Sequence, residues 1–179
     1  MSKAKYSAVP MLVLLSLGAA SAEGERLKLD EIAGVYRHPL KVETVADGVV
    51  AAENILEIVR YGEASAYIRT RLHFTNGHLC SLFGIAEVEG NQLVYRSAPE
   101  PEDKSSACVL ALKIESKAIV FEDRAECQLR YGFRGGFDNA RFERSRRRPI
   151  AYLDRIRNSR QYREALEEYE LSKAATAKP

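Results

Sequence analysis

The chain has 179 residues, 46% of them hydrophobic and 29% charged, with three cysteines, three histidines and no tryptophan. That length suits one compact domain, and the charged fraction is too ordinary for wholesale disorder. No apolar run reaches the ~18 residues of a membrane span, which excludes a multi-pass membrane protein.

Lys3 and Lys5 form a basic start, Ala8 to Ala20 are apolar or small, and Ala20-Ser21-Ala22 supplies small residues at −3 and −1. This is the pattern of a cleaved secretory signal over residues 1–22, and Glu23, not a cysteine, follows it. The expectation is a periplasmic or secreted protein in an oxidising compartment, not membrane-spanning once mature. Without the leader, basic and acidic side chains balance at 25 each. The balance is uneven along the chain: residues 23–123 carry 11 basic and 17 acidic groups, and residues 124–163 carry 12 and 4. Such a local cation bears on partners, although a neutral exported chain argues against nucleic acid.

Residues 23–145 read as an antiparallel β domain. Gly34-Val35-Tyr36 and Ile55–Val59 are strand-like. Ala66, Ile68, Thr70, Leu72 and Phe74 then alternate with Tyr67, Arg69, Arg71 and His73, the period of a half-buried strand. Asn76-Gly77 predicts a two-residue type I′ hairpin before Leu79–Val88, pairing His73 with Cys80. Gly90-Asn91 turns into Leu93–Tyr95, and a polar loop over residues 98–106 precedes Cys108–Ile114. A hairpin at Ser116-Lys117-Ala118 leads to Ile119–Phe121, Cys127–Tyr131 is expected as a long strand, and Ala140–Phe142 as a short one. Seven or eight short strands with tight turns predict an antiparallel barrel or sandwich.

Pro149 suits a helix start, and Ile150, Leu153, Ile156, Leu166 and Tyr169 line one face interrupted at Asn158-Ser159. This predicts a C-terminal amphipathic helical segment over residues 146–171, lying on the sheet or on a partner, with a flexible tail at 172–179.

A turn centred on Lys117-Ala118 makes cross-strand partners whose numbers add to 235, which brings Cys108 opposite Cys127 and predicts a disulfide. His73, His78 and Cys80 have metal-binding side chains, but a tetrahedral site wants a fourth ligand and none is evident, so no metal or cofactor is expected.

The run from Cys127 to Phe142 is similar to the ending of small exported β-domain proteins that finish with C…CG-x-x-G-x-F-x-G-x-x-F, in the general style of periplasmic lysozyme-inhibitor-like proteins. The resemblance covers about Gly34–Phe142 and implies a small exported binding domain. Tyr131 stands where the pattern places its second cysteine, and Asn139 where it places glycine. Independently of the family, Gly132, Gly135 and Gly136 mark a tight bend, with Phe133, Phe137 and Phe142 as its core anchors.

Catalytic motifs such as G-x-S-x-G and H-E-x-x-H are absent from the sequence, so a non-enzyme is expected. Glu53 and Glu57 could share the outward face of a strand, where charged residues are ordinarily solvated. The sharpest polar feature is arginine: Arg134, Arg141, Arg144, Arg146, Arg147 and Arg148 fall within 15 positions, and Arg155, Arg157, Arg160 and Arg163 follow. Guanidinium groups grip carboxylates and phosphates bidentately. The first cluster is therefore the candidate partner- or anion-binding set, unless it docks the tail onto the acidic β body. The function expected is that of an exported binding protein, such as an inhibitor or immunity factor against a lysozyme-like cell-wall hydrolase or toxin. The alternative is an envelope protein holding anionic lipid or polysaccharide.

Overall fold

A computed structural model describes residues 27–98, 107–125, 127 and 135–176. The expected leader, the 99–106 loop, Arg134 and most of the 127–133 segment lie outside the described residues. Eight antiparallel strands pair in chain order: β1 Gly34–Thr44, β2 Gly48–Arg60, β3 Ser65–His73, β4 Leu79–Glu89, β5 Gln92–Arg96, β6 Val109–Ile114, β7 Ala118–Ala125 and β8 Arg141–Glu143. The sheet curls into a nearly closed barrel. Just past β8, Val35 and Arg148 exchange both backbone hydrogen bonds at 2.9 Å, so the last residue of the β body meets the first strand. Gly34 permits this seam, because a Cβ there would lie 2.8 Å from the Arg148 carbonyl. Closure removes the edges that an open sheet would expose.

Alternation sets two cores. Tyr36, Leu56, Ile58, Ile68, Leu82, Tyr95, Leu110, Leu112, Ile119 and Phe121 point inward and are buried together. A four-residue helix, α1 Leu29–Ile32, plugs one end with Leu29 and Ile32, and the Tyr36 hydroxyl donates to its Ile32 carbonyl at 2.7 Å. Burial pushes that phenol up to about 12. On the outside of β2–β4, Val59, Tyr67 and Ile85 form a second apolar surface. Two helices cover it: α2 Leu153–Arg157 and α3 Arg160–Thr176, contributing Leu153, Ile156, Tyr162, Ala165, Leu166 and Tyr169. Each fully buried large side chain here contributes up to ~1.5–3 kcal/mol. The predicted amphipathic segment thus lies on the chain's own sheet. Its break falls at Asn158-Ser159, where Ser159 Oγ accepts from the Tyr162 amide at 3.1 Å. Among the described residues, no helix is long and apolar enough to cross a membrane.

Several expectations need correction. β1 and β2 form one long hairpin, Gly34–Arg60, where only two short strands were expected. Pro39 and the unpatterned stretch Lys41–Asn54 hide it, and Pro39 is tolerated because β1 lies at the barrel seam. Asn76 and Gly77 do take positive φ (58° and 70°), but inside a three-residue turn closed by Phe74 and His78. The register is therefore one residue from the predicted one: Leu72 faces Cys80 and His73 faces Leu79. Cys80 then points into the barrel, and no group able to hold a metal ion exists among the described residues. Burial pushes the Cys80 thiol up. Helix formation begins at Leu153, not at Pro149, because Arg148 must stay extended to bond Val35. Helix α3 also runs on to Thr176, into the segment expected to be a flexible tail.

The Cys108–Cys127 disulfide is present, with the Cα atoms 4.6 Å apart. The hairpin register differs from the expected one. The turn is Ser116-Lys117, Ile114 pairs with Ile119, and a bulge between Val109 and Leu110 shifts the ladder by one. Cys127 lies beyond the end of β7, not in a strand, so the bridge does not depend on the strand register from which it was expected. Of the bend expected around the glycines, Gly132 lies outside the described residues and the described turn falls at Asp138-Asn139. Phe137 and Phe142 are fully buried as expected, and Gly135 is a close approach, where a Cβ would strike Phe74 and the Cys80 sulfur at 2.6 Å. Asn139, standing at the pattern's glycine position, has φ 61°, a left-handed conformation that Asn tolerates better than most residues. Closing a loop of sequence separation 19, the bridge is expected to contribute about 3 kcal/mol. Urea unfolding of the Cys108→Ser/Cys127→Ser variant should show that loss, and an unchanged midpoint would contradict it.

Candidate functional site

The outer face of β1–β4 is built in rows set by the strand register. The first row, Val59-Tyr67-Ile85, is apolar and lies under the helices. The next, Val35-Glu57-Arg69-Phe83, carries a carboxylate and a guanidinium on directly paired residues. The third, Arg37-Ile55-Arg71-Ser81, runs just beyond the helices. Where the helices stop, a cleft of about 340 Å³ opens, with rows two and three as floor and Tyr152, Arg155 and Gln161 as wall.

Glu57 organises this site. It is only 3% exposed, yet it accepts from Arg69 through one oxygen and from the Tyr152 hydroxyl through the other. Arg69 also donates to Gln161 Oε1 at 3.1 Å. One strand carboxylate thereby ties together β3, the segment before α2 and the first turn of α3. Glu57 holds the Arg69 guanidinium more firmly protonated, and burial, with Glu57 second, pushes the Tyr152 phenol up. The expected outward face shared by Glu53 and Glu57 exists, but Glu57 is buried and bonded there, not solvated. Glu53 meets Arg37 at 2.5 Å near the cleft rim.

Four arginines line the cleft: Arg37, Arg69, Arg71 and Arg155. Arg155 lies 4.9 Å from the Tyr152 ring centroid, a cation–π contact that aims it along the wall. Arg71 makes no side-chain hydrogen bond or ion pair among the described residues, so its charge faces the cleft uncompensated. Only Arg155 of this set belonged to the arginine run noticed in sequence. Arg69 and Arg71 were visible as outward residues of an alternating strand, but their meeting with Arg37 and Arg155 depends on register and on helix docking.

The arginines expected to form the binding set lie elsewhere. Arg141 pairs with Glu115 at 3.1 Å, and Arg144 donates to the Glu115 carbonyl at 3.2 Å. Arg147 donates to the carbonyls of Asp30 and Ala33, Arg146 pairs with Glu143, and Arg148 donates to the Arg147 carbonyl. These five tie the segment after β8 to α1, to the β6–β7 turn and to itself. Arg134 lies outside the described residues.

The far end of α3 has its own tether. Tyr169 and Lys173 both donate to Glu87 at 2.7 Å, and Lys173 first, then Tyr169, pulls that carboxyl below its ordinary value. Comparison with known proteins gives no match to any family model, curated protein or solved structure.

Two outcomes follow from these tethers. Glu57→Gln leaves Arg69, which is 30% exposed, without its counter-ion. Breaking a fully buried pair costs ~3–5 kcal/mol, so about 2 kcal/mol is expected here, with faster tryptic cleavage at Arg160 and Arg163. Unchanged stability and cleavage would contradict the pin. Because Glu87 binds its proton less readily folded than unfolded, its contribution is complete above the ordinary carboxylate range and is lost as pH falls through it. Amide protection factors in the second half of α3, corrected for the intrinsic exchange rate at each pH, should fall on acidification in the wild type, and that response should be blunted in Glu87→Gln.

Proposed function

We propose that this chain is a non-enzymatic binding protein working outside the cytoplasm, and that it takes an anionic ligand in the cleft between its sheet and its C-terminal helices. The observation that carries the reading is the uncompensated Arg71 beside Arg37 and Arg155 on a preformed concave surface. Ligand sites are concave, of ~300–1,000 Å³, with a few convergent polar groups on an apolar lining, and Ile55 and Phe83 supply that lining here. Glu57 already accepts from two donors, so its part is to hold the site together and not to move protons. The disulfide agrees with an oxidising compartment.

This reading moves the anion site away from Arg141–Arg148, whose guanidinium groups are spent largely on the chain's own carbonyls and carboxylates. Calorimetric titration with tripolyphosphate and with polygalacturonate tests the shift. Arg71→Ala should weaken binding at least fivefold while Arg146→Ala leaves it unchanged. Binding lost only in Arg146→Ala, or no binding of either polyanion, would refute the cleft.

A second reading, docking to a protein such as a lysozyme-like cell-wall hydrolase, draws on the tip of the β1–β2 hairpin. Val45 and Val49 there are 91% and 62% exposed. Pull-down and turbidity assays against several lysozyme types should show binding that is lost in Val45→Asp/Val49→Asp. No binding to any of them would remove the inhibitor form of this reading.

A further inference from the structure

Resting on the cleft as an anion site, we infer that the group it takes is a phosphate monoester, on a sugar-sized molecule or at a lipid headgroup. Charge is the first argument. Four arginines line the cleft against Glu57, and Glu53 partners Arg37 at its rim, which leaves a net charge of +2. A carboxylate or a sulfate ester brings one negative charge, whereas a phosphate monoester carries nearly two at neutral pH. Only the dianion neutralises the site.

Geometry is the second. Arg37 and Arg71 flank Ile55 in one row across three neighbouring strands, so their Cα atoms lie about 10 Å apart. Arg155 approaches from the helix wall, its guanidinium fixed over Tyr152. Donors thus arrive from three sides around one apolar floor position. A tetrahedral group with three terminal oxygens can accept from all three, and a planar carboxylate has only two oxygens to offer. Arg69, engaged by Glu57 and Gln161, stays behind as fixed positive charge and is not needed as a direct donor.

Size is the third. A volume of about 340 Å³ accommodates a monosaccharide phosphate or a lipid headgroup, and too little apolar wall is present for an acyl chain. A lipid would therefore present its phosphate to the cleft and leave its tails in the bilayer.

The experiment uses the full chain and five probes. Glucose 6-phosphate is compared calorimetrically with glucose 6-sulfate, which keeps the tetrahedral shape with one charge fewer, and with glucuronate. Phosphatidylcholine vesicles containing phosphatidate, a monoester, are compared with vesicles containing phosphatidylglycerol, a diester. At least tenfold tighter binding of the monoester in either pair, lost at least tenfold in Arg71→Ala and partly kept in Arg71→Lys, is the expected result. Preference in the soluble pair assigns a sugar phosphate, and preference confined to vesicles assigns a lipid headgroup. Equal or tighter binding of the monoanions and the diester would overturn the phosphate assignment while leaving an anion site in place. Binding indifferent to Arg71→Ala, or no binding of any probe, would overturn both.

Discussion

The buried carboxylate of Glu57 is the constraint from which the rest of this surface follows. A charge taken out of water is costly unless it is paired and its oxygens are satisfied. Arg69 and Tyr152 meet that requirement, and in doing so they fix where the C-terminal helices stop. The apolar row Val59-Tyr67-Ile85 supplies adhesion between helix and sheet, but apolar contact is non-directional. The Glu57 network supplies direction. It places Tyr152, Arg155 and Gln161 beside the third row and leaves Arg37, Ile55, Arg71 and Ser81 uncovered. The cleft is the part of the sheet that the helices do not reach.

Rigidity beneath the cleft comes from the barrel. β1 and the segment after β8 close at Val35 and Arg148, and the disulfide fixes the entry to β6 against the exit of β7. Arg147 braces the same seam by donating to the Asp30 and Ala33 carbonyls, and Arg144 ties the segment to the β6–β7 turn at the Glu115 carbonyl. The arginine-rich stretch therefore divides its work. The residues around the seam hold the β body closed, while Arg155, on the helix beyond it, reaches the candidate site.

Much of the fold was legible because it rests on period-two alternation. Ala66-Ile68-Thr70-Leu72 announced β3 and put Arg69 and Arg71 outside, and Asn76-Gly77 marked its hairpin. The helical stripe through Ile156 and Tyr169 announced a covered face. What could not be read was register. One residue of slip at Thr75–Gly77 separates the His73–Leu79 pair from the expected His73–Cys80 pair, and it decides whether Cys80 faces the barrel or the surface. The disulfide forms although the ladder differs from the expected one on both sides of the Val109/Leu110 bulge, because Cys127 lies past the end of β7, where strand register no longer sets its face. The β1–β2 hairpin escaped notice because Pro39 and the run Val49–Ala52 break the alternation.

The site was less legible than the fold for the same reason. Arginine density drew attention to residues 134–148, where the side chains serve the seam. The cleft collects Arg37 from β1, Arg69 and Arg71 from β3 and Arg155 from α2, and no local pattern connects the three elements. Glu57 looked like one more solvated strand carboxylate, and only the arrival of Tyr152, 95 positions later, makes it an anchor.

The most direct test is a residue-resolved NMR titration of the folded chain with inorganic phosphate. The account predicts that amide and guanidinium shifts concentrate at Arg37, Ile55, Arg71, Arg155 and Gln161, saturate together, and vanish in Arg71→Ala. Shifts confined to Arg141–Arg148, or scattered over the surface without saturation, would contradict it.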